Sequence, residues 1–254
     1  MNPSDAIATR LRQLNVCVVM PTYNNGGTLR DVVECVLAYC GDLIVVNDGS
    51  TDETASILAS FENRIRVVDY GKNRGKGYAL QQGFNKTRAM GFDYALTIDS
   101  DGQHFPEDIP VFIEALEQHP EALIVGSRNL KQENMPSGNT FANKFSNFWF
   151  RLQTGIHLPD TQTGFRLYPL RSMPHIFSSR YEAELALLVF SAWRGTELVP
   201  VKVNVVYPKG RVTHFRPFWD FFRISVLNTV LCIVALVYGW PAMLIRKCFR
   251  RTSR

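Results

Sequence analysis

The chain has 254 residues, 46% of them hydrophobic and 20% charged, which suits one large domain with a substantial core, or one domain plus an appendage. Its net charge is +5, and residues 246–254 hold five of the positive charges and no negative one; following an apolar run, such a tail points to an anionic membrane surface and not to nucleic acid. Five cysteines, Cys17, Cys35, Cys40, Cys232 and Cys248, are odd in number and lack metal-ligand spacing, and residues 1–13 lack the apolar core of a secretory signal, so the chain reads as cytosolic with reduced thiols.

Residues 16–20 form a short apolar run closed by Pro21, the pattern of a buried strand. Helical periodicity follows over 28–40. A second strand at 43–46 leads into the turn Asn47-Asp48-Gly49-Ser50 and a helix at 51–61. A third strand at 65–68, a glycine-rich loop over 71–77 and a helix to residue 90 come next. A strand at 94–98, a helix at 106–118 and a strand at 122–125 complete the first half. Strand and helix alternating at roughly 25-residue spacing predict an α/β fold, a mostly parallel sheet with helices on both faces. Ligands of such sheets bind beyond the carboxyl ends of the strands. Four polar, glycine-bearing loops fall at that edge: 22–27, 47–54, 73–77 and 99–104.

The last of these, Asp99-Ser100-Asp101-Gly102-Gln103-His104, carries two carboxylates one residue apart where a buried strand ends. Residues i and i+2 share a strand face, so both can reach one ion. Hard oxygen ligands on a turn suit Mg²⁺ or Mn²⁺, ions that bridge to substrate phosphates. A lone Asp-x-Asp is also an ordinary acidic turn, since aspartate favours turns; the three companion loops favour the ligand site.

The second half reads as a polar loop over 129–140, an aromatic-rich helix at 141–154, a polar loop over 160–166, a helix at 181–193 and a strand at 198–206. Residues 224–245 are 22 positions without a charge, bracketed by Arg223 and Arg246-Lys247, which reaches the length of a membrane-spanning helix. Residues 214–223 mix aromatic with basic side chains, a composition suited to a helix in the headgroup zone. A single span would put the basic tail on the far side of the membrane, whereas a broken, re-entrant or interfacial arrangement, for which Gly239-Trp240-Pro241 supplies a bend, keeps both basic flanks on the cytoplasmic side. The expected division is a domain over 1–213 and a membrane-association segment over 214–254.

The ordered set Met20-Pro21-Thr22-Tyr23-Asn24-Asn25, Val46-Asn47-Asp48-Gly49-Ser50-Thr51-Asp52, Asn73-Arg74-Gly75-Lys76-Gly77 and Asp99 to His104 resembles family-2 glycosyltransferases with the GT-A fold. Gly126-Ser127-Arg128, residues 160–166 and Tyr207-Pro208-Lys209-Gly210 extend the resemblance to the dolichyl- and polyprenyl-phosphate mannose and glucose synthases. The chain departs from the family pattern at Asn25, often Glu, at Asn47-Asp48, often two acids, and at residues 139–144, where Lys144 is the only cation in place of an Arg and a Ser.

The resemblance implies an enzyme: inverting transfer of a sugar from a nucleotide-sugar to a lipid-linked acceptor, at the cytoplasmic face of a membrane. It implies donor binding by Pro21, Tyr23, Asn25, Asp48, Lys76, Asp99 and Arg211, with Asp48 accepting from the base and Lys209 as an alternative to Arg211. It places Mg²⁺ or Mn²⁺ on Asp99, Asp101 and Gln103, and makes His104 a supporting loop residue. Arg128, Lys144 and Thr163 would meet the acceptor, and Asp101, Asp160 and Arg128 would carry catalysis. A phosphate acceptor is already ionised and needs no protein base, whereas a hydroxyl does. Asp160, Glu182 and Glu184 are the carboxylates available for that task, and of the last two, which sit two apart on a helix, one at most is expected to face the cleft. A hydroxyl of a glycolipid as acceptor, a non-catalytic nucleotide-sugar-binding subunit and a sugar nucleotidyltransferase are the competing readings; the first loop, 21–27, has no cation, which disfavours the last. The oligomeric state is not legible.

Overall fold

The computed structural model describes residues 3–128, 137–174, 180, 182–206 and 217–252. Their strands form one seven-stranded sheet in the order β3-β2-β1-β4-β6-β5-β7, made of β1 (Val16–Thr22), β2 (Leu43–Asn47), β3 (Arg66–Asp69), β4 (Tyr94–Thr97), β5 (Leu123–Arg128), β6 (Arg166–Pro169) and β7 (Leu198–Val203). All pairings are parallel except those of β6, which runs antiparallel to β4 and β5. The central strands alternate between two cores, as period-two geometry requires: Val16, Val18 and Met20 of β1 face one, Cys17 and Val19 the other.

The first core is closed by α1 (Pro3–Gln13), α2 (Gly26–Leu37), α3 (Thr54–Ala59) and α5 (Ile109–Gln118), which contribute Leu11, Leu29, Val33, Leu58, Phe112 and Ile113. The second is closed by α4 (Lys76–Ala89), α6 (Ser137–Thr154) and α7 (Glu182–Arg194), with Leu80, Phe84, Phe150, Leu188 and Trp193. The parallel order and the two helical layers agree with the sequence reading. Two elements do not appear in it. Helix α1 packs Leu11 into the first core although its segment is too polar to announce itself. Strand β6 is only four residues long and follows a polar loop, so no period-two pattern marks it.

The C-terminal apolar run differs more. Instead of bending at Gly239-Trp240-Pro241, the chain continues through α8 (Pro217–Val234), a π-helical turn over Ala235–Gly239 and α9 (Trp240–Thr252). Proline lacks a donor and its ring crowds the carbonyl one turn back. A wider i→i+5 turn immediately ahead of Pro241 absorbs that conflict without breaking the helix. The expected domain boundary at 213/214 lies outside the described residues. The helix beyond it packs back on α6 and α7, with Leu231 and Ala235 joining the second core.

Candidate active site

The four loops expected at the carboxyl edge meet there around a cleft of about 640 Å³. Its walls include Pro21 to Asn25, Asp48, Asn73, Gly75, Lys76, Asp99 to Asp101, Gln103 and His104. The opposite wall comes from the second half: Arg128, Ala142, Ser146, Thr161, Gln162, Gly164, Arg180, Glu182 and Glu184. Loop 160–164 reaches this edge because β6, which follows it, is antiparallel; its amino end lies where its neighbours have their carboxyl ends.

Hydrogen bonds tie the first-half loops to one another. Asn25 Nδ2 donates to Ser100 Oγ at 2.8 Å, Thr28 Oγ1 donates to the Ser100 carbonyl at 2.8 Å, and Ser100 Oγ donates to the Pro21 carbonyl at 3.2 Å. Asp48 is engaged by the neighbouring loop: the backbone N–H groups of Arg74 and Gly75 each donate to it at 2.7 Å, and Asn73 Nδ2 at 3.0 Å. Its visible task is to shape that loop, whereas the sequence reading gave it to a base. Gly75 has φ of 96°, a left-handed value suited to glycine, and opens α4 so that Lys76 enters the cleft.

Lys76 is held between two carboxylates, 2.8 Å from Asp99 Oδ1 and 3.0 Å from Glu184 Oε2. Burial by itself would lower the ammonium pKa and raise that of Asp99, yet the pairing outweighs it: Lys76 is raised and Asp99 lowered, so both stay charged. Gly164 lies against this pair so closely that a Cβ there would collide with Asp99 Oδ2 and Lys76 Nζ. Both Glu182 and Glu184 line the cleft, against the expectation of one; α7 points its amino-terminal turn at the cavity, so its first turn contributes from two sides.

The Asp99–His104 loop is fixed from the far side. Gln103 N–H donates to Asp101 Oδ1 at 3.1 Å, Val206 N–H donates to the Gln103 carbonyl at 3.0 Å, and His104 bridges to Val205. His104 is buried with its ring 5.3 Å from that of Phe165. Burial first, then the charges of Arg128 and Lys76, push its pKa down to about 4, so the imidazole is neutral near pH 7. Among the described residues no group of three or more His, Cys, Asp or Glu side chains is placed to hold a metal ion by itself. An ion at Asp99, Asp101 and Gln103 would therefore share its coordination with a ligand, as hard cations at phosphate sites do.

On the opposite wall the structure corrects three expectations. Asp160 is fully buried and does not reach the cleft. It accepts from Arg128 Nε at 2.5 Å and Nη2 at 3.0 Å, from Asn143 Nδ2 at 2.5 Å and from the Gln162 N–H at 3.0 Å. Burial would raise its pKa, but the hydrogen bonds and charge of Arg128 outweigh that and hold it below the ordinary carboxylate value, which makes it a poor base. Lys144 is exposed and off the cleft, because the next-door residue Asn143 takes the inward face of α6. Thr163 is buried, its Oγ1 accepting from the Phe165 N–H at 3.2 Å. Arg211 and Lys209 lie outside the described residues. Arg180, which no motif marked, lines the cleft, and so does Ile224 of α8.

The model of Glycosyl transferase family 2 matches residues 17–177, more than half of the chain. The UDP-N-acetylglucosamine–dolichyl-phosphate N-acetylglucosaminyltransferase of Methanococcus voltae is 27% identical over 215 residues, covering 76% of this chain and 86% of that protein. The undecaprenyl-phosphate mannosyltransferase of Micrococcus luteus is 28% identical, covering 76% and 84%. The human dolichyl-phosphate beta-glucosyltransferase is 27% identical, covering 82% and 72%. A crystal structure of glucosyl-3-phosphoglycerate synthase from Mycobacterium tuberculosis with Mn²⁺, uridine-diphosphate and phosphoglyceric acid superimposes with a TM-score of 0.67 at 19% identity, over 91% of this chain and 82% of that one, and shares its fold. A mostly parallel sheet with the Asp-x-Asp loop at its carboxyl edge, relatives named for sugar transfer and a family model that spans all four loops of that edge agree: the chain belongs to glycosyl transferase family 2.

Proposed function

We propose that the protein transfers a sugar from a nucleotide-sugar to the phosphate of a polyprenyl-phosphate lipid at the cytoplasmic face of a membrane. The observation that carries this reading is the acceptor wall: it presents the guanidinium of Arg128, oriented from behind by the buried Asp160, together with Arg180. Planar, permanently charged guanidinium groups match phosphate oxygens. The carboxylate expected to serve a hydroxyl acceptor, Asp160, is spent on Arg128 and faces away from the cleft.

On this reading the nucleotide lies against Pro21, Tyr23 and the Asp48-organised loop, with its diphosphate toward Asp99 and Asp101. Asp101 and Gln103, beside Asp99, would hold a Mg²⁺ or Mn²⁺ ion shared with the diphosphate. The donor set fits: the loop offers hard oxygen atoms, and the buried Gln103 amide, whose Nε2 has no hydrogen-bond partner among the described residues, can turn its oxygen inward. Bound there, the ion would neutralise charge developing on the leaving diphosphate. Arg128 holds the acceptor phosphate for attack on the anomeric carbon. The new bond forms from a phosphate oxygen as the bond from that carbon to the diphosphate breaks, with inversion. The attacking oxygen is already ionised, so no protein group takes a proton.

One observation favours a second reading, transfer to a hydroxyl: Glu184 Oε1 is buried without a hydrogen-bond partner among the described residues. The two separate by product. Incubation with labelled nucleotide-sugars and a polyprenyl phosphate should give a mild-acid-labile, phosphodiester-linked lipid. An acid-stable glycolipid formed only from hydroxyl acceptors, and lost in Glu184→Gln, would replace the first reading with the second.

A further inference from the structure

We propose that the helix from Pro217 to Thr252 lies in the plane of the membrane surface, as a monotopic anchor clamped along the transferase domain, and does not cross the bilayer. Membrane attachment belongs to the proposed function; the in-plane geometry deepens it and rests on the packing of this helix. By length and composition Phe222–Cys248, a stretch of 27 residues, would suffice for a crossing. Its contacts argue otherwise. One face is docked on the domain along nearly the whole apolar run: Asn228, Leu231, Ala235 and Gly239 are buried, and at the far end Arg246 donates to the Trp193 carbonyl.

From residue 228 to residue 246 a helix advances about 27 Å, close to the roughly 30 Å of a bilayer's hydrocarbon core. A crossing would therefore carry α6 and α7 to the same depth, with the exposed Arg151 and Arg194 that they bear, and charges at that depth are costly. The clamp is polar as well as apolar. Gln153 Nε2 donates to Asn228 Oδ1 at 3.0 Å, and the indole N–H groups of Trp193 and Trp240 donate to the Gln153 carbonyl at 2.9 and 3.2 Å.

The opposite face bears one continuous apolar stripe at helical spacing: Val226, Val230, Ile233, Val237 and Leu244 are 47, 49, 59, 77 and 63% exposed. Exposed Arg223 and Lys247 stand at its two ends. An apolar stripe flanked by cations complements a bilayer of anionic lipid, with the stripe in the acyl boundary and both basic ends at the headgroups. A crossing would separate those ends by the bilayer, and a water-exposed helix would leave the stripe uncovered. Exposed Phe148 and Leu152 of α6, the helix that packs beside it, add to the apolar surface. Since Ile224 also lines the cleft, an in-plane helix brings the mouth of the cleft to the lipid surface.

The test is a depth measurement on the full chain. Cys35, Cys232 and Cys248 are replaced by serine, the buried Cys17 and Cys40 remain, and a nitroxide is placed in turn at Val226, Val237 and Leu244. Collision with oxygen and with a water-soluble nickel chelate is read on vesicles of phosphatidylglycerol and phosphatidylethanolamine. The in-plane helix gives similar depths at all three positions, about 5–10 Å below the phosphates. A profile deepest at Val237, with Val226 and Leu244 at opposite surfaces, would establish a span and overturn the proposal. So would equal chelate access at all three positions with no lipid contact, or spin–spin broadening without vesicles, which would assign the stripe to a second copy of the chain. None of these readings depends on transfer activity, so a wrong acceptor and a wrong topology fail separately.

Discussion

Arg128 and Asp160 form a two-point pair, Nε to Oδ2 at 2.5 Å and Nη2 to Oδ1 at 3.0 Å, in which only the arginine reaches the cleft. The carboxylate is the buried partner and sets where the guanidinium points. Asp160→Asn should therefore raise the KM for the lipid acceptor about tenfold or more while leaving the pH dependence of kcat unchanged, since no base is lost. The substitution removes the buried charge that pairs with Arg128 and leaves its hydrogen bonds weaker, so a lower Tm should accompany the kinetic change. A kcat loss near 100-fold with an altered pH profile would instead make Asp160 the base.

The same pair sets an acid limit. Asp160 is depressed in the folded state, so its contribution to stability is complete above the unfolded carboxylate value of about 3.9 and is lost as pH falls through the lower folded value. The difference in Tm between the wild type and Asp160→Asn should stay flat from about pH 8 to about pH 5 and close below about pH 4. Thermal unfolding across that range measures it; a difference that widens on acidification would contradict the assignment.

Asp101→Asn should lower transfer by about 1,000-fold or more with the circular dichroism spectrum unchanged, because charge developing on the leaving group would lose its main counterbalance. Titration with Mn²⁺ provides the second measurement. A variant with near-wild-type rate and metal dependence would remove Asp101 from the site.

Gly164→Ala puts a methyl group onto the Lys76–Asp99 pair. Both contacted atoms are the ends of side chains, so the pair should shift while the fold survives. The expected result is weaker donor binding, seen as a raised KM for nucleotide-sugar, with the acceptor KM unchanged and Tm lowered by only a few degrees.

Gly239→Leu places a side chain against the Trp193 indole of α7, at the end of the π-helical turn just ahead of α9. Overpacking of this kind costs about 1–3 kcal/mol. The C-terminal helix should loosen from the domain, visible as faster amide exchange over residues 228–246. Hydrolysis of nucleotide-sugar in detergent should persist, because Trp193 lies at the opposite end of α7 from Glu184, the residue that meets Lys76 in the cleft.

The donor half was legible in the chain because each of its loops follows a short apolar strand and is filled by glycine, asparagine and aspartate, residues whose backbone preferences declare a turn. Alternating strands and helices then require those loops to share one edge of the sheet, so the four loops could be grouped from spacing, and the family resemblance singled out Pro21, Asp48, Lys76, Asp99 and Asp101 in and beside them. Which partner each side chain takes was not legible. Asp160, Glu182 and Glu184 are alike as carboxylates in a sequence, and only the antiparallel β6, four residues long and without a pattern of its own, decides that Asp160 turns inward to Arg128. The helix after it aims Glu184 at Lys76 across 108 residues of chain. The C-terminal run likewise declares its hydrophobicity and its length by composition, whereas its direction depends on the seam with Gln153 and Trp193. Turn chemistry and periodicity are local and leave their mark on neighbouring residues; ion pairs and helix docking join segments far apart in the chain, and those were decided by tertiary packing.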